Sequence, residues 1–449
     1  MEQHNYDPLK ILGVTGIFLF LLAAGFLHVF SEKQPAPVAV APVADTAQAA
    51  IFPQDAKPDS IQALLSDRDS VSSLYTGMAM FYHAVQRIEN DHTQLHIAYL
   101  GDSMIEGDLV TQSLRRYLQK RFGGIGLGFV PVTTPLPGFR SNVKQSFNDE
   151  WDVISFVTKS HAEGASPGIS GYAYISAEGA EARYDAAPSF GPFHTAEILF
   201  GGKNTIALEI KTDTASQLLT LVPAAPVSSV VVRRDSAFST FAMKVKSPEP
   251  GILYGVNFEY GPGIYVDNYA FRGNSGLPLG SVPPEILAGF NAKLQNKLLI
   301  IHYGLNVFTP GVEDYNWYEA AMVKVVRHLR ESSPDISILM VSMPDRSTLI
   351  NGEYHTPAGL PEFISLQQRV AARENIAFFN LYEAMGGANS MKKWVEGKPK
   401  LAGDDYTHPN GAGAARIASM IFDFILNGYD RYISKPDSVV SITTGQTAL

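Results

Sequence analysis

The chain has 449 residues, 45% of them hydrophobic and 18% charged, which gives material for a large core and too little charge bias for disorder along its whole length. Its 35 basic residues are outnumbered by 44 acidic ones and no basic run exceeds a pair, so nucleic acid is not an expected partner. The absence of cysteine rules out disulfide scaffolds, thiolate metal sites and cysteine nucleophiles, and it suits an oxidising compartment, where a free thiol is a liability.

Residues 11–30 form an apolar run without formal charge. At about 1.5 Å per residue such a run spans about 30 Å, the thickness of a bilayer's hydrocarbon core. It is longer than the apolar region of a cleaved signal, and His28, Val29 and Phe30 stand where cleavage would need small residues. Residues 1–30 are therefore expected to be a cytoplasmic stub and one transmembrane anchor, with a cleaved signal as the alternative. Segment 31–57, rich in Ala, Pro and Val, has no amphipathic period and is expected to be an extended tether. A single N-terminal apolar segment ahead of a large body implies that the body is exported.

Residues 70–90 place Leu74, Met78, Phe81, Val85 and Ile88 at three- and four-residue spacing, which predicts a helix. A short β-prone run at 96–100 follows, then a helix over 109–122 with Leu114, Tyr117, Leu118 and Phe122 on one face. From 127 to 259 the texture changes. Short β-rich runs at 153–157, 172–176, 195–200, 205–210, 218–222, 230–232 and 241–245 alternate with Gly, Pro, Ser and Asp, which predicts a β-sandwich. The α/β rhythm returns with strands at 298–302, 336–341 and 377–380 and helices at 315–329, 363–373 and 411–425. The expected fold class is α/β, with 58–126 plus 260–430 as one domain, 127–259 as an all-β insert, and 431–449 as a flexible tail. The insert is expected to fold on its own, leaving and re-entering the host at neighbouring points, and to supply recognition without a catalytic group.

Four short motifs carry candidate chemistry. Gly101-Asp102-Ser103 lies at the carboxyl end of the first strand, where ligands collect in open parallel sheets. A serine there can attack and its amide can donate to an oxyanion, although Gly, Asp and Ser are also ordinary turn residues. Asp405-Tyr406-Thr407-His408 precedes the last helix, and a carboxylate three residues before a histidine can reach its Nδ1 and fix the tautomer that a serine's base needs. Asp404 is the adjacent competitor. Asn306, just past the strand 298–302, offers a side-chain donor for a developing oxyanion, and Gly273 offers a backbone N–H that no side chain obstructs.

The order of these motifs, Ser then Gly then Gly-x-Asn then Asp-x-x-His, resembles the SGNH (GDSL-type) hydrolase superfamily over 93–124 and 254–428. The resemblance implies a three-layer α/β/α, flavodoxin-like domain with Ser103 as nucleophile, His408 as its base and Asp405 orienting that base. It implies an oxyanion hole made by the amides of Ser103 and Gly273 and the side chain of Asn306. Met104 replaces the Leu of the family motif and Val307 replaces an acidic residue common after the Asn, and neither change removes a reacting group. Residues 101–130 and the stretch Phe379-Asn380-Leu381-Tyr382-Glu383-Ala384-Met385-Gly386-Gly387 further resemble bacterial envelope members, the peptidoglycan O-acetylesterases and O-acetyltransferases, whose extra module resembles a carbohydrate-binding domain.

That resemblance implies a periplasmic enzyme at a bacterial inner membrane acting on an acylated glycan, without metal or cofactor. Two rivals accompany it. One is an acetyltransferase with the same triad, a sugar hydroxyl as acceptor and a membrane partner as acyl donor; the other is a non-catalytic glycan-binding protein. Phe378, Phe379 and Tyr382 are read as core and His302 as a strand residue near the site, while His83 and His92 are read as surface histidines.

Overall fold

The computed structural model describes residues 75, 77–158, 165–188 and 190–434. The expected anchor and tether, 1–57, lie outside the described residues. Among the described residues no helix is long and apolar enough to cross a membrane. In chain order the first elements are α1 (Ala79–Asp91), β1 (Gln94–Gly101) and α2 (Leu109–Phe122). Eleven strands follow: β2 (Ile125–Pro131), β3 (Val143–Phe147), β4 (Trp151–Ser155), β5 (Tyr172–Ser176), β6 (Glu181–Ala186), β7 (Phe193–Gly201), β8 (Ile206–Thr212), β9 (Ser216–Leu221), β10 (Ser228–Phe238), β11 (Thr240–Val245) and β12 (Gly251–Tyr260). The chain continues through β13 (Gly263–Ala270), α3 (Pro284–Lys293), β14 (Asn296–His302), α4 (Asn316–Ser332) and β15 (Ser337–Val341). Next come the hairpin β16 (Thr348–Ile350) and β17 (Glu353–His355), then α5 (Leu360–Arg373), β18 (Ala377–Phe379), α6 (Leu381–Met385), α7 (Ser390–Glu396) and α8 (Gly411–Ile433).

Strands β1, β14 and β15 are near-continuous apolar runs, buried on both faces, as strands of a covered parallel sheet must be. They form an all-parallel five-stranded sheet in the order β13-β1-β14-β15-β18. Helices α1, α2 and α8 pack together in one layer, and α3, α4 and α5 in another, giving three α/β/α layers. Numbered within the sheet this is the doubly wound order 2-1-3-4-5, whose switch point falls between β1 and β14. The carboxyl ends of those two strands are therefore where a ligand crevice forms.

Strands β2 to β12 build two antiparallel sheets separate from the parallel one: β10-β7-β12-β5-β4 with β2 also on β12, and β3-β6-β11-β8-β9. A core of Leu127, Val130, Tyr184, Ile198, Phe200, Phe241 and Phe258 lies between them. The sequence boundaries 127 and 259 need correction outward, because β2 begins at Ile125 and pairs antiparallel with β12 up to Tyr260. Alternation along these strands sends other side chains the opposite way. Phe129 and Tyr254 contact Phe290 of α3, with ring centroids 6.4 and 5.0 Å apart, so the sandwich shares apolar contacts with its host. The whole strand β13 carries no prediction from sequence, although it forms the edge of the parallel sheet. At the other end, α8 runs through 431–433 of the expected tail, because Tyr429 is buried against Phe122. Residues 435–449 lie outside the described residues.

A buried charge cluster joins the two halves. His96 on β1 places Nδ1 2.8 Å from Asp267 of β13 and Nε2 2.7 Å from Glu259 of β12, and Asp267 also accepts the amide of Phe129 on β2. Burial alone would lower the pKa of His96, but the two carboxylates outweigh it and raise it to about 10. A histidine raised in the folded state contributes stability that is complete below its ordinary value near 6.5 and is lost as pH rises through about 10. The unfolding free energy of the wild type should therefore fall with pH across that window by up to about 1.4 kcal/mol per pH unit, and His96→Gln should lack this slope. Equal slopes in chemical-denaturation series would contradict the charge state assigned to His96.

Candidate active site

Strand β1 delivers Ser103 to the crevice through a tight turn in which the amides of Ile105 and Glu106 bond the carbonyls of Asp102 and Ser103, both at 3.3 Å. The histidine comes from the far end of the chain, just before α8. Asn410 caps that helix by accepting the amides of Ala412 and Gly413 at 2.9 and 3.0 Å. Gly413 is required there, since a Cβ would stand 1.9 Å from the carbonyl of Leu401. The turn before the cap is closed by the Gly403 amide donating to the His408 carbonyl at 2.8 Å.

These supports bring three side chains into one hydrogen-bonded chain. Ser103 Oγ lies 2.9 Å from His408 Nε2, and His408 Nδ1 lies 2.6 Å from Asp405 Oδ2. Asp405 Oδ1 accepts the amides of Thr407 and His408 at 3.1 and 3.0 Å. Burial would raise the Asp405 pKa, but the hydrogen bonds from the His408 side chain and from these two amides hold it at about 2. An ionised Asp405 fixes the tautomer with the proton on Nδ1, leaving Nε2 to accept from the serine. Asp404, the sequence competitor, is exposed and pairs with Lys400.

The expected oxyanion donors surround Ser103 in two different conditions. Gly273 takes φ +77, a left-handed conformation that glycine adopts without strain, and among the described residues neither its N–H nor that of Ser103 has an acceptor. Asn306 differs from the free donor expected from sequence. Its Nδ2 already donates to Asp102 Oδ2 at 3.0 Å and to the carbonyl of Asn274 at 3.1 Å, which engages both N–H groups. Asp102 is an ordinary turn residue by sequence, and the structure gives it a further role. It is buried, it also accepts the Met104 amide at 3.0 Å, and burial pushes its carboxyl up to about 6. The Gly-Asp-Ser tripeptide thus contributes two functional side chains, since Asp102 fixes Asn306.

The residues read as bland are placed accordingly. His302 ends β14, is buried, and bonds the hydroxyl of Tyr99 at 3.0 Å. Phe378 and Tyr382 are buried, Phe379 is half-buried, and His83 and His92 are exposed. Among the described residues no group of three or more His, Asp or Glu side chains is arranged to hold a metal ion.

With this geometry in view, residues 251–416 match the family model described as the GDSL-like Lipase/Acylhydrolase family. That match makes residues 251–416 a GDSL-like acylhydrolase domain. The matched stretch holds Gly273, Asn306, Asp405 and His408, while Ser103 lies ahead of it, separated by the sandwich and returned to the site by the pairing of β1 with β13 and β14. The chain superimposes on a solved structure of a peptidoglycan O-acetylesterase with TM-score 0.65 and 22% identity, over 78% of this chain and 96% of that one. That likeness concerns the fold. A family two carbohydrate esterase from Clostridium thermocellum in complex with cellohexaose aligns over 64% of this chain and 99% of its own, with 13% identity and TM-score 0.26. No curated protein matches the chain in sequence. The matched stretch supplies every strand of the parallel sheet except β1 and every expected site residue except Ser103, and it leaves the substrate open.

Proposed function

We propose that the protein is a serine esterase that removes acyl groups, in particular O-acetyl groups, from a cell-envelope glycan such as peptidoglycan. The observation that carries the reading is the hydrogen-bonded chain Ser103–His408–Asp405, with distances of 2.9 and 2.6 Å, at the switch point of an acylhydrolase fold. His408 takes the proton of Ser103 as Oγ attacks the ester carbonyl. The tetrahedral oxyanion is stabilised by the unpaired amides of Ser103 and Gly273, and by Asn306 once it exchanges its bond to the Asn274 carbonyl. Collapse breaks the bond to the sugar oxygen, which takes the proton from His408 and leaves as a hydroxyl, while Ser103 stays acylated. Water activated by His408 then attacks that ester and regenerates the serine. The side chains of His408 and Asp405 are 38% and 51% exposed, so water reaches the base that must activate it.

The solved O-acetylesterase of the same fold and the presence of a β-sandwich beside the acylhydrolase strands in the chain support a glycan as the alcohol portion of the ester. The apolar run 11–30 and the tether behind it support a body held in the periplasm by one helix in a bacterial inner membrane. The test is acetate release from O-acetylated peptidoglycan by the purified full-length protein. Release by the wild type and none by Ser103→Ala is expected; no release from any O-acetylated glycan would remove the substrate assignment. Within the same mechanism, Asn306→Ala should lower kcat by about 10²–10³ with a much smaller change in KM, because the donor acts on charge that develops only in the transition state.

A further inference from the structure

Segment 342–347 leaves the carboxyl end of β15, the edge of the sheet that also carries Ser103 and Asn306. Its backbone is fixed on both sides of Arg346. The buried Asp345 carboxylate accepts Thr356 Oγ1 at 2.7 Å, Ser390 Oγ at 3.3 Å and the Met391 amide at 2.8 Å. On the other side, the Ser347 amide donates to the carbonyl of Tyr406 at 2.9 Å, which ties this segment to the turn between Asp405 and His408. Arg346 is thus held beside the reacting groups by parts of the fold that take no role in the chemistry.

Its guanidinium is half-buried with Nε fully enclosed, and it makes no hydrogen bond or ion pair with any described residue. Of the two arginines with enclosed, unpartnered nitrogens, Arg234 still donates from Nη1 to Gln217 and to the carbonyl of Arg233, whereas Arg346 has no such bond. Asp405 is near enough for its charge to act on Arg346. It does not hold the guanidinium, since no hydrogen bond or ion pair joins the two, and Asp405 is instead engaged by His408 and by two amides. The other arginine near the site, Arg272, is already neutralised by Glu106 at 2.6 Å. An enclosed guanidinium N–H without an acceptor is costly unless an anion completes it, and the planar fork of Arg346 matches a carboxylate.

We propose that Arg346 binds a carboxylate of the substrate. The inference rests on the esterase reading, and an acetyl group has no charge, so the carboxylate must belong to the alcohol portion of the ester. Arg346 is then a specificity residue, selecting esters of anionic alcohols.

The test compares 4-acetoxybenzoate with its neutral methyl ester as substrates of the full-length protein. Arg346→Gln should lower the ratio of their kcat/KM values, anionic over neutral, by about 10- to 100-fold, the worth of a charge-assisted hydrogen bond. Arg346→Lys should lie between, since it keeps the charge and loses the fork. Parallel losses on both esters, with the ratio unchanged, would overturn the proposal and make Arg346 a support for Asp405. Calorimetric binding of 4-acetoxybenzoate to Ser103→Ala and to the same protein carrying Arg346→Gln decides the matter without turnover. Weaker binding in the double variant is expected, and equal binding would overturn the proposal. A wild type that hydrolyses neither ester would instead count against the esterase reading.

Discussion

Ser103→Ala should lose at least about 10³-fold in kcat toward p-nitrophenyl acetate while its circular dichroism and melting temperature stay close to those of the wild type. The magnitude follows from the chemistry: without Oγ no acyl-enzyme forms, and what remains is rate enhancement from binding and from the oxyanion donors alone. The fold should tolerate the change because Ser103 Oγ has one partner, His408 Nε2, in a site reached by water. The turn that presents the residue is held by backbone bonds from Ile105 and Glu106 and by Asp102, none of which uses the serine side chain. A variant that kept most of its activity would place the nucleophile elsewhere.

The second large effect concerns the base and its partner. His408→Ala should abolish turnover, and Asp405→Asn should reduce kcat by up to about 10⁴-fold, since an amide cannot hold the required tautomer or balance the imidazolium that forms during attack. Asp404→Asn should be nearly silent, because an exposed pair with Lys400 is worth at most about 1 kcal/mol. The pH dependence has a definite sign. With its carboxyl held at about 2 in the folded state, Asp405 contributes stability that is present above its ordinary value of 3.8 and lost as pH falls through about 2. Asp405→Asn should therefore flatten the acid limb of the stability curve between those values. A silent Asp405→Asn together with a large effect of Asp404→Asn would reverse the assignment.

A three-residue spacing works here because the intervening turn is unusual. Tyr406 adopts φ +53, a left-handed conformation that costs a non-glycine residue about 1 kcal/mol. The hairpin β16–β17 lays the ring of Tyr354 flat on that of Tyr406, with centroids 3.5 Å apart and planes within 7°. Nothing local in the sequence announces this stack, since the two tyrosines are far apart in the chain and meet only through the tertiary fold.

That contrast describes what was legible. Ser103, Gly273, Asn306, Asp405 and His408 stand out in the sequence because turn residues occur in a fixed order at the ends of apolar runs, and the structure brings Ser103, His408 and Asp405 into mutual contact. Strands β1, β14 and β15 were legible for the same reason: fully covered strands must be apolar throughout. Strand β13 was not, because Asp267 and Asn268 interrupt its pattern. Asp267 is inside only because His96 and the Phe129 amide satisfy it. Arg346 was equally invisible. Its interest comes from the acceptors it lacks, and an unmade hydrogen bond leaves no mark in a sequence.

The most direct measurement is covalent trapping at the serine. The full-length protein is treated with a serine-reactive phosphonate, the adduct is counted by intact mass, and the modified peptide is mapped. One adduct per chain on Ser103, none in Ser103→Ala and slowed labelling in His408→Ala is the result the mechanism predicts. Undiminished labelling of Ser103→Ala would contradict it.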